Sequence, residues 1–262
     1  MILTNMKQFY FISGLPRSGT TLLSEILNQN SRFYASISGP LARFTRAIIE
    51  QSSDQGGYRF QCNEIKRKNI IRGIFDNYYN NENKEVFFDT NRGWTLLLPL
   101  IRDLYPNAKM ILCVRDIEWI LDSFEQLIRK NPYSITNMFS QEENTNVYTR
   151  CRTLLREDRT LGFAYTGVKQ AITSRERNMI YILEYEKLCR FPEQTMKEIY
   201  KFIEQPYFKH DFDNVDSSYD EFDNDVNLKG LHTTRKKIEF VPRQMIIPPD
   251  IRESVKGMEV WR

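Results

Sequence analysis

The eight residues Gly14-Leu15-Pro16-Arg17-Ser18-Gly19-Thr20-Thr21 constrain this chain more than any other stretch. Ahead of them, Phe9-Tyr10-Phe11-Ile12 reads as a short buried strand; behind them, Leu22, Leu23, Ile26 and Leu27 share one face of a helix. A glycine-rich turn at such a junction aims several backbone N–H groups and the positive helix end at one point, which suits an anion. The G-x-x-x-x-G spacing matches the first six places of the nucleotide P-loop, but Thr20 stands where that motif carries lysine. The cation lies inside the turn instead, at Arg17, whose planar fork suits two oxygens of a phosphate or sulfate. An anion-binding loop without a magnesium site is the reading these residues favour. A turn whose glycines serve backbone geometry alone is the plainer alternative.

Three later segments belong with this loop. Lys109–Val114 reads as a strand ending at Arg115-Asp116, and Ser123 follows eight residues after Arg115, two turns into the next helix. Tyr181-Ile182-Leu183-Glu184 leads into Tyr185-Glu186-Lys187-Leu188 and Phe191-Pro192, and Gly230-Leu231-His232-Thr233-Thr234-Arg235-Lys236-Lys237 forms a basic run near the end. Together the four segments, spread over residues 8 to about 242, resemble the sulfotransferases that use 3′-phosphoadenosine 5′-phosphosulfate (PAPS). The resemblance implies that Arg17, Ser18, Gly19, Thr20 and Thr21 cradle the 5′-phosphosulfate and that Arg115 and Ser123 clamp the 3′-phosphate. It further implies that Tyr185 lies by the adenine and that Thr233, Arg235 and Lys236 close over the cofactor. Taken singly, the same residues have blander readings: an Arg115 ion pair with Asp116 or Glu118, a half-buried strand tyrosine, a solvated basic run.

The 262 residues suffice for one α/β domain with a full core. A net charge of +3 from 37 basic and 34 acidic residues gives no ground for a nucleic-acid or membrane partner. Four widely spaced cysteines, Cys62, Cys113, Cys151 and Cys189, read as reduced, buried thiols, and with two histidines they draw no metal site. Met1 to Ile12 lacks the pattern of a secretory signal, and no apolar run is long enough for a membrane span. A soluble cytoplasmic enzyme is expected.

Strands are expected at Gln8–Ser13, Arg32–Ser36, Val86–Phe88, Lys109–Val114 and Met179–Leu183. Helices are expected at Thr20–Gln29, Leu41–Ser52, Lys66–Tyr79, Trp94–Tyr105, Ile117–Arg129, Val147–Ser174 and Pro192–Ile203. Asn131–Asn146 reads as a polar, mobile loop. The strand–helix alternation calls for a P-loop-like three-layer sandwich, a central parallel sheet flanked by helices, with one domain spanning residues 1–262. Ligands gather at the carboxyl ends of such strands, where Arg17, Asp89 to Arg92 and Arg115 all fall.

For sulfuryl transfer, Arg17 is the first candidate cation at the transferring group and Arg92 the second. Relatives of the resembled family often carry D-K-T-P where this chain has Asp89-Thr90-Asn91-Arg92. The base is open. The stretches where family members place a glutamate or histidine, Ala35 to Pro40 and Asn91 to Trp94, hold neither. Asp89 and His232 are the ionisable candidates, although Asp89 is equally suited to capping the next helix or pairing with Arg92, and a lone loop histidine is often incidental. Residues 211–225 concentrate Asp211, Asp213, Asp216, Asp220, Glu221, Asp223 and Asp225 among aromatics. This is either a solvated loop or an acidic lip for a cationic acceptor. The overall pattern resembles bacterial sulfotransferases of secondary metabolism, and the acids make a small guanidinium alkaloid of the cylindrospermopsin or saxitoxin type the expected acceptor. A P-loop small-molecule kinase and a non-catalytic nucleotide-binding protein are the rivals.

Overall fold

The structure, a computed structural model, describes residues 7–53, 57–215, 217 and 219–262. Its centre is a strand of continuous apolar character, β1 (Gln8–Gly14), whose side chains are buried on both faces beyond the first residue. Such a strand needs helices on either side. Four more parallel strands join it, β2 (Phe33–Ala35), β3 (Val86–Thr90), β4 (Met110–Val114) and β5 (Ile180–Glu184), in the order β2-β3-β1-β4-β5.

Alternate residues of β1 feed two cores. Phe9 and Phe11 meet Phe75, Phe87 and Trp94 on one face, with Phe11 and Trp94 edge-to-face at 4.9 Å. Tyr10 and Ile12 meet Leu23, Ile26, Leu27 and Tyr200 on the other. Helices α1 (Thr20–Asn28) and α9 (Pro192–Phe202) cover the second face. The first is covered by α3 (Glu64–Tyr78), α4 (Leu98–Leu104), α5 (Ile117–Lys130) and α7 (Thr160–Thr173). The expected three-layer sandwich is what forms. β1 is followed in sequence by strands on one side and then by β4 on the other, so a crevice opens above the β1–β4 junction, where a parallel sheet takes its ligand.

Several boundaries differ from the sequence reading. The long helix expected over 147–174 is two, α6 (Val147–Leu155) and α7. They fold back on each other so closely that a Cβ on Gly162 would meet the Arg156 carbonyl oxygen at 2.1 Å. Trp94–Tyr105 begins as a 3-10 turn over Arg92–Leu97 before α4. On α3, Ile71 and Phe75 are buried, whereas Ile70 and Tyr78, assigned to the same face, are exposed. Three short helices were not expected: α8 (Tyr185–Arg190), α10 (Asp220–Asp225) and α11 (Pro249–Ser254). The loop after α5 is tied down, Thr136 Oγ1 donating to the Val226 carbonyl at 2.7 Å. α2 spans Leu41–Ser52 as read. All four cysteines are buried and unpaired. Among the described residues, no helix is long and apolar enough to cross a membrane, and no cluster of metal-ligating side chains occurs.

Candidate active site

The chain leaves β1 through Gly14 at φ 134°, a position where a Cβ would lie 2.0 Å from the Cys113 carbonyl oxygen of β4. Only glycine lets the two strand ends approach this closely. The loop then passes through Arg17 at φ 58° and Gly19 at φ 91°, both left-handed, before α1 begins at Thr20. Thr20 and Thr21 line the cavity above the loop. Ser18 does not offer its hydroxyl there. The side chain is buried and donates to the carbonyls of Leu15 (2.6 Å) and Cys113 (3.0 Å), so its hydroxyl locks the turn.

Arg17, Arg115 and Ser123 come together although about a hundred residues separate the first from the others. Arg17 Nε donates to Ser123 Oγ (3.1 Å), its Nη1 donates to the Leu231 carbonyl, and Arg115 Nη1 donates to the Arg17 carbonyl (3.3 Å). Burial lowers the Arg17 guanidinium to about 10, with Arg115 adding to the effect, so it stays cationic at neutral pH. The Arg115 guanidinium stacks over the Tyr185 ring at 4.1 Å, and its Nε, buried without a hydrogen-bond partner, faces Glu186 Oε1 at 3.5 Å. Tyr185 in turn lies against the loop: a Cβ on Gly19 would meet its ring at 2.8 Å. A largely buried guanidinium stacked beside an aromatic ring fits a phosphate next to a base.

The cavity continues past this clamp to a total volume of about 1480 Å³, and its walls include Arg92, His232, Thr233 and Arg235. Lys236 is absent from the lining; its neighbour Lys237 takes that place and pairs with Asp213 at 3.0 Å. Thr234 holds the run in place by donating to the Val215 carbonyl (2.7 Å). The expectation for Asp89 is corrected. Its carboxylate is fully buried, accepts from Tyr79 Oη (2.6 Å) and Trp94 Nε1 (2.7 Å), and is no part of the cavity wall. Burial raises it to about 6 despite those two donors. It neither pairs with Arg92 nor caps the following turn, a task Asn91 performs for Gly93 N (2.8 Å).

His232 has a different setting. Its Nδ1 lies 2.9 Å from Asp223 Oδ1, while the same carboxylate accepts from the amides of His232 (3.0 Å) and Gly230 (2.7 Å). Asp223 is 1% exposed. Burial holds the imidazole below its ordinary range, Asp223 pulls it up, and Arg17 and Arg92 push it down. With Nδ1–H directed at a carboxylate, the ring's Nε2 is left as the acceptor. That is the arrangement of a general base.

A model of the sulfotransferase family matches residues 10–209, most of the chain. The chain belongs to that family. Among its relatives, a putative protein-tyrosine sulfotransferase from Caenorhabditis briggsae is 25% identical over 88% of this chain and 81% of its own length. A sulfotransferase structure from Alicyclobacillus acidocaldarius matches with a TM-score of 0.52 at 17% identity, covering 95% of this chain and 89% of that one. A mouse sulfotransferase, SULT7A1, solved with 3′-phosphoadenosine 5′-phosphate (PAP), matches with a TM-score of 0.50 at 16% identity over 78% of this chain and 59% of that one. At these identities the two structures speak to the fold.

In this sulfotransferase several acids of the acidic segment are engaged away from the cavity. Asp211 binds the backbone of Asp213 (2.9 Å) and the side chain of Asn214 (2.7 Å), Asp213 pairs with Lys237, and Asp223 is inside; Asp216 lies outside the described residues. Of the segment's acids, Asp225 lines the cavity. Sequence reasoning missed Asp223 as the partner of His232, and Arg43 of α2, which also lines the cavity. A carboxylate nine residues before a lone histidine was the one signal for the first; nothing local marked the second.

Proposed function

We propose that this sulfotransferase takes the sulfuryl group of PAPS and delivers it to a hydroxyl or amine of a small molecule, with His232 as the base. The observation that carries the reading is the convergence on one cavity of the Arg17–Thr21 loop, the Arg115–Tyr185–Ser123 clamp and the His232–Asp223 pair. PAPS supplies an activated sulfuryl group on a phosphate leaving group. The loop amides with Thr20 and Thr21 would hold its 5′ end and Arg115 its 3′-phosphate, while Tyr185 offers a ring for the base to stack on. Arg17 and Arg92 supply fixed positive charge where negative charge grows. His232 Nε2 takes the acceptor's proton, and Asp223 keeps the ring in the accepting tautomer.

The absence of a P-loop lysine at Thr20 speaks against a kinase. Four buried thiols without disulfides accord with a cytoplasmic site of action. A cationic guanidinium alkaloid finds little support as acceptor, because, of the acids expected to hold it, Asp225 lines the cavity, while Asp211, Asp213 and Asp223 are engaged elsewhere. The test compares thermal stabilisation of the protein by PAP, ATP and adenosine 5′-phosphosulfate, then screens acceptors with PAPS by mass detection. Stabilisation by PAP above the other two is expected. Preference for ATP would return the kinase, and PAP binding with every acceptor inert would favour a non-catalytic nucleotide binder.

A further inference from the structure

The cavity carries two neighbouring guanidiniums, one just after β3 and one on α2, that no acid answers. Arg43 and Arg92 both line it, and neither side chain makes a hydrogen bond or ion pair among the described residues. Three other cations of the same walls are matched: Arg46 by Glu50 (2.8 Å), Arg243 by Asp122 (2.8 Å) and Lys237 by Asp213 (3.0 Å). The two unmatched residues sit on segments packed together. Asn91 Nδ2 donates to the Gly39 carbonyl (2.7 Å), and a Cβ on Gly93 would touch Ala42 Cβ at 3.6 Å, so the neighbours of Arg92 and Arg43 are in contact. Arg43 accordingly pushes Arg92 further below its ordinary range, beyond the effect of burial. The acids that line the cavity are Glu50, already engaged by Arg46, together with Asp225 and Glu239. Nearby wall residues are apolar: Leu96, Leu97, Tyr78 and Phe163.

Two adjacent like charges without a counter-ion favour whatever anion enters between them. Resting on the reading that PAPS occupies the loop end, we propose that the acceptor is a small hydroxy or amino acid. Its carboxylate is gripped by Arg43 with Arg92 beside it, and its apolar body lies along Leu96, Leu97 and Phe163. Arg43 is then the specificity-determining residue, and it selects against the cationic acceptors that the acid-rich sequence suggested.

Matched trios of compounds test this, each trio differing only in a terminal carboxylate, primary amide or amine: 3-(4-hydroxyphenyl)propanoate and 6-hydroxyhexanoate with their amide and amine counterparts. Each is titrated calorimetrically into the full chain saturated with PAP, and separately offered with PAPS for mass detection. Carboxylate members are expected to bind about tenfold tighter than their partners. Arg43→Gln should erase that preference without changing PAP affinity, and Arg43→Glu should turn it towards the amines. Equal or better binding of amide or amine, no binding by any member, or a carboxylate preference that survives Arg43→Gln overturns the proposal. PAP affinity separates the two levels. If PAP binds and carboxylates are not preferred, this inference alone falls; if PAP does not bind, the donor assignment falls with it.

Discussion

Asp89 and Asp223 are both sealed from solvent, and both accept several hydrogen bonds, yet they hold different things. Asp89 ties Tyr79 and Trp94, two core aromatics, to the end of β3. Asp223 ties two amides and an imidazole of the late loop, and that imidazole lines the cavity. Burial alone therefore says nothing about whether a carboxylate serves the reaction. What separates them is whether the group being held lines the cavity.

The comparison can be broken by substitution, beginning with the largest effect. His232→Ala should lower kcat by about 10²–10⁴-fold while PAP affinity is kept, as expected for loss of a base; an undiminished kcat would remove His232 from the reaction. Asp223→Asn should cost less, and it should also move the acidic limb of the kcat/KM profile to lower pH. Activity rises as the imidazole loses its proton, and the carboxylate is what raises that pKa, so its loss shifts the limb downward. A limb that stays put would make Asp223 merely structural. Asp89→Asn should do the converse, destabilising the fold by about 1–3 kcal/mol because one of two buried donors loses its acceptor. Turnover of the folded protein should remain near wild type. Since the native pKa of Asp89 is raised to about 6, its contribution to stability is present at low pH and lost as pH climbs through that value. The stability gap between wild type and Asp89→Asn should thus narrow between about pH 4 and 7, readable in denaturant titrations. Smallest is Tyr79→Phe, about 1 kcal/mol of stability with no kinetic change; a large fall in kcat here would show that Asp89 matters to the chemistry after all.

Much of this was legible because it is local. The strand–loop–helix around Arg17, the Arg115 strand end and the bounds of α2 follow from residue patterns within a dozen positions. The direction of the Ser18 hydroxyl was not, since one of its acceptors is the carbonyl of Cys113 on a neighbouring strand. Asp223 sits in an acid-rich run whose composition points to water, and only the return of the Gly230–His232 backbone buries it. The break between α6 and α7 is equally hidden, because helix-compatible residues run through it and the reversal depends on Gly162 packing on Arg156. Asp89 was misread for the opposite reason: its place at a strand end is where catalytic groups gather, but two aromatic donors had already claimed it.

The bond from Arg17 to the Leu231 carbonyl has a bearing on how any alanine scan is interpreted. Leu231 is the residue next to His232, so the same few atoms of chain rest on the guanidinium and carry the imidazole. Trimming Arg17 would loosen the proposed base as well as the proposed phosphate cradle, and donor-side and acceptor-side kinetic constants would shift together. Assigning that residue to one half of the reaction from a single variant would be an error built into the architecture.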